Sequence, residues 1–200
     1  VEVTKLSLLL KVLENETSQT LQSTYVYQER ALPDLGDNIK CGNSLIGPDY
    51  YHGDLFASVS SPLAKGRLKG GKDSVEAEER LRINAFDWNA EFPEIMKAGG
   101  FDAVIGNPPW GAALSVEEKS YYSTRYPSFM GNHESYLFFI DRATSLLRNT
   151  GLSSFVTPDS WIKVPQAQKL REIVLERTGV RIIVTLPQKV FNIVSANCLI

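Results

Sequence analysis

The chain has 200 residues, 43% of them hydrophobic and 22% charged, a balance that excludes a disordered or fibrous protein and provides one sizeable α/β domain. Its formal net charge of -2 excludes a global electrostatic pull toward nucleic acid, so any contact with phosphates has to be local. Only two cysteines occur, Cys41 and Cys198, far apart in sequence, which argues against a disulfide framework or zinc site and points to a reducing, cytoplasmic setting. In chain order, Val3, Leu6, Leu9, Leu10 and Leu13 recur at helical spacing over residues 1–14, and this helix starts without a cap, as if the chain began in mid-domain. Residues 38–43 read as a short strand entering a Gly-Asn turn, and residues 47–80 as a long Gly/Ser/Lys-containing connecting loop. The basic stretch in that loop, Lys65, Arg67, Lys69 and Lys72, is followed at once by Asp73, Glu76, Glu78 and Glu79, the pattern of a solvated segment. A short helix over 89–100 ends at Gly99-Gly100 and leads into a buried strand at 101–106, where Phe101, Ala103, Val104 and Ile105 are apolar.

Farther along, residues 133–149 pattern as a helix with Tyr136, Phe139, Ile140, Ala143, Leu146 and Leu147 on one side. A strand at 152–158, a helix at 165–179 between Pro165 and Gly179, a strand at 180–186 and an apolar run at 196–200 complete the pattern. Alternating strands and helices predict a mostly parallel sheet covered on both faces, in a single domain over 1–200. No apolar run approaches the roughly 18 residues of a membrane span, and no metal-ligand cluster is apparent. His52 and His133 stand singly in polar surroundings, where solvated or capping roles fit better than catalysis.

The chemistry concentrates in Asn107-Pro108-Pro109-Trp110, directly after the strand at 101–106. In open α/β sheets ligands bind beyond the carboxyl ends of the strands. Asn107 offers a side-chain carbonyl acceptor and Pro108 a backbone one, ahead of a residue with no N–H. Two fixed acceptors can converge on one amino group, while Trp110 presents a flat surface worth on the order of 1–3 kcal/mol to a stacked base. The four residues therefore read as a holder for a planar heterocycle with an exocyclic amine. The bland alternative is a stiff turn with Trp110 tucked into the core.

The stretch "FDAVIGNPPW" resembles the catalytic motif of amino-methyltransferases that use S-adenosylmethionine. "VEVTKLSLLLKVLE", "IKCGNSLIG", "FDWNAEFPEIMKAGG", "TPDSWIK" and "VFNIVSANCLI" surround it in an order similar to that of the gamma-class N6-adenine DNA methyltransferases of restriction-modification systems, in particular the large fused type. The resemblance implies a Rossmann-like methyltransferase fold, S-adenosylmethionine as methyl donor, and double-stranded DNA with a flipped-out adenine as substrate, with no metal and no membrane. It assigns Asn107, Pro108 and Trp110 to catalysis and makes Asn43, Ser44 and Asn107 cofactor-binding residues. Trp110 stands where Tyr or Phe is more usual. Phe191 falls where the family packs an aromatic against the opposite side of the flipped base. Asn43 falls where a residue, often acidic, bonds the cofactor's adenine amino group. A Gly-Asn turn at 42–43 and a core position for Phe191 are the structural alternatives.

In that family the glycine-rich cofactor loop precedes the equivalent of residue 1, and the target-recognition region lies past the equivalent of Ile200. The resemblance thus implies a catalytic domain truncated at its N-terminus, with its first strands missing, a poorly anchored strand near Ile39, no target-recognition domain, and little activity apart from the rest of a parent chain. Two readings compete. Similar motifs serve methyltransferases acting on a glutamine side-chain amide or on guanine N2 of ribosomal RNA, and an inherited but unused motif would leave a non-catalytic DNA-binding or interaction module.

Overall fold

The computed structural model describes residues 2–13, 35–52, 72–131, 134–186 and 198–199. The first helix, α1 (Glu2–Leu13), forms where the leucine spacing predicts it, although Leu6 of the expected apolar stripe is exposed. The expected strand at 38–43 is reduced to a single parallel bridge between Asn43 and Ala85. The cause is local. The Asn38 and Ile39 amides both donate to the Leu35 carbonyl, and the Asn43 side chain accepts from Leu45 N at 3.2 Å, so turns close on either side of the one paired residue.

The expected connecting loop at 47–80 also needs correction at both ends. Pro48–His52 form a 3-10 turn, and α2 (Lys72–Ile83) is a helix whose strong helix formers are laced by an Arg82–Glu79 pair at 2.6 Å. Asp87 then caps α3 (Trp88–Glu91), accepting from Asn89 N and Ala90 N at 2.9 and 3.2 Å. The helix expected over 89–100 is divided at Phe92, because Pro93 starts a second short helix, α4 (Pro93–Lys97). Gly99 and Gly100, with φ of +99° and +118°, turn the chain into β1 (Phe101–Gly106).

Between β1 and its partner run α5 (Val116–Arg125) and α6 (Tyr136–Leu146), a crossover long enough to return the chain in parallel. α6 stops three residues short of the expected end at 149, because Leu147 already opens β2 (Leu147–Phe155) by pairing with Phe101. The register then shifts before Ala103 pairs with Leu152, Ile105 with Ser154 and Gly106 with Phe155. The strand expected to be buried is open on one side. Ala103, Ile105 and Leu152 share a face, and Ile105 is 81% exposed. α6 packs against both strands.

The remaining elements are β3 (Thr157–Pro158), α7 (Ser160–Lys163), a 3-10 turn at Pro165–Ala167, α8 (Gln168–Arg177), β4 (Thr185–Leu186) and β5 (Cys198–Leu199). β5 lies between β3 and β4 and is antiparallel to both, which departs from the expected mostly parallel sheet. The eleven residues between Leu186 and Cys198 are near the minimum for a parallel crossover and ample for an antiparallel return, so their length permits this arrangement. Of the strand expected over 180–186, only Thr185 and Leu186 pair. The architecture among the described residues is α/β with a small parallel sheet and a separate antiparallel one.

Two apolar clusters flank the N-terminal half of α6. Phe138 enters one with Leu45, Ile46, Tyr50, Ile83, Tyr121, Tyr122 and Tyr126. Tyr136 and Leu137 enter the other with Ala167 and Leu170. The single apolar side expected for α6 is therefore too narrow, since Leu137, Phe138 and the carboxylate of Asp141 are buried as well.

Candidate active site

The loop after β1 is shaped by what its prolines remove. Gly106 O still accepts from Val156 N at 3.1 Å, which extends the pairing of β1 and β2 by one step. Pro108 and Pro109 then have no N–H to continue it, and the chain leaves the sheet. Pro108 is buried, Asn107 and Pro109 are exposed, and Trp110 is half-buried. Side-chain bonds hold the far end of this loop. Trp110 Nε1 donates to Val156 O at 3.3 Å, and Ser135 Oγ donates to Pro109 O at 3.2 Å. The Asn107 amide and the Pro108 carbonyl make no hydrogen bond among the described residues. Trp110 thus sits between the two sequence readings, anchored through its N–H yet not enclosed by the core.

The second loop, Asn43–Gly47, is fastened more heavily. Asn43 N donates to Asn84 O at 2.6 Å and Phe86 N to Ile46 O at 2.8 Å. Trp88 Nε1 donates to Ser44 O at 3.1 Å. From α5, Tyr121 Oη accepts from Gly47 N at 3.0 Å and donates to Asp49 Oδ1 at 2.9 Å. Just past the end of α5, Tyr126 Oη donates to Leu45 O at 2.6 Å. Burial raises the Tyr121, Tyr122 and Tyr126 hydroxyls above their ordinary 10.0, so all three are protonated across the neutral range and Tyr121 and Tyr126 stay donors. Asn43 spends one lone pair of Oδ1 on Leu45 N and is half-buried.

Both loops are tied to one scaffold. Trp88 and Phe92 pack edge-on against Phe101 at the start of β1, with ring centroids 5.7 and 5.4 Å away. α5 follows the Asn107–Trp110 loop in the chain and supplies the Tyr121 clamp on the other loop. Among the described residues no hydrogen bond joins Asn43 or Ser44 directly to Asn107 or Trp110. Phe191 and His133 lie outside the described residues, as do Lys65, Arg67 and Lys69, and the His52 side chain is likewise not described. Among the described residues there is no group of His, Cys, Asp or Glu that could hold a metal, and no helix is long and apolar enough to cross a membrane.

Sequence reasoning passed over Ser135, Tyr121 and Tyr126. A signal for α5 was present in Ser115-x-x-Glu118, which forms a reciprocal capping box: Glu118 N donates to Ser115 Oγ at 3.1 Å and Ser115 N to Glu118 Oε2 at 2.8 Å. Tyr122 and Tyr126, four residues apart, would then have marked an inward face.

A family model described as Eco57I restriction-modification methylase matches residues 1–191. The chain is 30% identical over 174 residues to the type II restriction enzyme and methyltransferase RM.Eco57I of Escherichia coli, an alignment covering 84% of this chain and 14% of that protein. It is also 30% identical over 143 residues to the putative type II restriction enzyme and methyltransferase RM.MjaORFECS2P of Methanocaldococcus jannaschii, covering 71% and 12% of the two chains. A third relative, the type II methyltransferase M.PaeR7I of Pseudomonas aeruginosa, is 34% identical over 92 residues, or 43% of this chain and 15% of that one. The chain spans only a small part of the length of each of these relatives.

Proposed function

The chain belongs to the Eco57I restriction-modification methylase family, and on that premise we propose that it forms the catalytic segment of an adenine-specific DNA methyltransferase that uses S-adenosylmethionine. One observation carries the reading. The Asn107 amide and the Pro108 carbonyl stand at the carboxyl end of a parallel strand with no hydrogen-bond partner among the described residues, in a loop otherwise held at Pro109 and Trp110. The names of the relatives, restriction enzymes and methyltransferases, support a place in a restriction-modification or related phage-defence protein.

The Asn43 loop fits the adenosyl part of the methyl donor. Its half-buried amide keeps one Oδ1 lone pair and a free NH2 among the described residues, on a backbone immobilised by Trp88, Tyr121 and Tyr126. Asn43 would accept from the cofactor's adenine amino group through that lone pair, with Ser44 next to it in the same loop. When bound, S-adenosylmethionine supplies an electrophilic methyl group on a sulfonium sulfur.

The target nitrogen is a poor nucleophile, since its lone pair is delocalised into the purine ring and hidden in the duplex stack. Flipping the base costs a few kcal/mol, which stacking on Trp110 offsets by on the order of 1–3 kcal/mol. Asn107 Oδ1 and Pro108 O then accept the two amine hydrogens, draw them out of the ring plane and localise the lone pair. Orientation and electrostatics do the catalytic work, and no side chain needs a perturbed pKa beforehand.

The test is transfer of labelled methyl from S-adenosylmethionine to duplex DNA by the full-length protein, beside Asn107→Ala. Asn107 is exposed and makes no side-chain hydrogen bond among the described residues, so the variant folds normally, and kcat falls by roughly a hundredfold or more. Wild-type rates in Asn107→Ala would sink the assignment.

A further inference from the structure

Resting on that reading, we infer that Ser135 is a positioning residue for methyl transfer, holding the Asn107–Trp110 loop in its working shape through the carbonyl of Pro109. Ser135 occupies the position before the first residue of α6, where a serine ordinarily turns its oxygen onto the free backbone amides of its own helix. Here it makes no such capping bond. Its hydroxyl reaches back 26 residues to donate to Pro109 O at 3.2 Å, and the residue is only 5% exposed. The adjacent Tyr136 ties the same end of α6 to the other side, with its hydroxyl 3.1 Å from Ser160 Oγ.

The loop needs such a hold because its two prolines remove the amides by which a backbone is usually fixed. Among the described residues the loop is held by the Trp110 bond to Val156 O on the sheet side and the Ser135 bond on the helix side. With both in place, the acceptors at Asn107 and Pro108 are set without being used. If the Ser135 hydroxyl is deleted, α6 loses no cap, and the cost to the fold is confined to one part-buried carbonyl left without its donor. The fold is therefore little affected while the aim of the two acceptors is loosened.

Steady-state methylation by the full-length protein separates these effects. Ser135→Ala lowers kcat by on the order of tenfold to a hundredfold while KM for S-adenosylmethionine and for DNA stays within about twofold, and Ser135→Thr recovers most of the loss. Ser145→Ala is the control and keeps the wild-type rate, since that exposed hydroxyl donates only to Arg142 O within α6. Should Ser135→Ala fail to fold, the nearly isosteric Ser135→Cys, a weak donor, carries the same test. A wild-type kcat in the Ala or Cys variant overturns the role of Ser135 alone. A wild-type protein that methylates no DNA overturns the function on which that role rests.

Discussion

Gly100 turns the chain into β1 at φ +118°, where a Cβ would collide with Leu146 O and come within 2.9 Å of the Leu147–Arg148 peptide at the start of β2. Both the backbone angle and the close approach demand glycine, so Gly100→Ala destabilises the protein by roughly 2–4 kcal/mol, read as a lower urea midpoint. Gly99, also at positive φ but with nothing near its missing Cβ, tolerates alanine better because it carries only the angular strain. At the same scale, Asn107 and Trp110 stand out as candidates in the sequence itself, because Asn-Pro-Pro-Trp after an apolar run is a chemical statement. Ser135 was not, because a hydroxyl that bypasses its own helix to reach Pro109 leaves no trace in local spacing.

Among the elements, α5 with Tyr126 just beyond it holds the Asn43 loop, and it does so through tyrosine hydroxyls rather than apolar area alone. Tyr126→Phe keeps the ring packed beside Tyr122 and Phe138 but strips the partner from Leu45 O, at a cost of about 1–3 kcal/mol in unfolding free energy. The same burial gives a pH signature. The folded chain holds the Tyr121, Tyr122 and Tyr126 protons above the 10.0 at which an unfolded tyrosine releases them. Below about pH 10 these groups are neutral in both states and their contribution to stability is constant. Above it the unfolded chain binds fewer protons than the folded one, so stability falls as pH rises, and the fall is shallower in Tyr126→Phe. Urea midpoints followed across that range, with tyrosinate absorbance alongside, measure both effects.

Across the whole molecule, legibility followed the period of the apolar residues. α8 and most of α6 were readable because their apolar residues recur at helical spacing over a full element, and β1 because a short apolar run follows Gly99-Gly100. α2 was not, since among its described side chains only Ile83 is buried and Leu81 is 80% exposed, leaving charge pairs and propensity to make a helix that reads as a solvated loop. The run at 180–184 misled in the opposite direction. Val180, Ile182, Ile183 and Val184 look like a buried strand but are exposed, and pairing begins only at Thr185. Strand direction was equally hidden, because apolar content does not distinguish the antiparallel return of β5 from a parallel one. Of the candidate site, the motif loop was legible, whereas the bonds fastening it and the Asn43 loop are long-range and belong to tertiary structure.

In the proposed reaction the Asn107–Trp110 loop presents two acceptors to the amino group of a flipped adenine. The most direct measurement is to incubate the full-length protein with duplex DNA and S-adenosylmethionine carrying a labelled methyl group, digest the DNA to nucleosides and identify the labelled one. Label is expected in N6-methyladenine alone. Label in any other nucleoside, or DNA left without label, would contradict the proposed reaction.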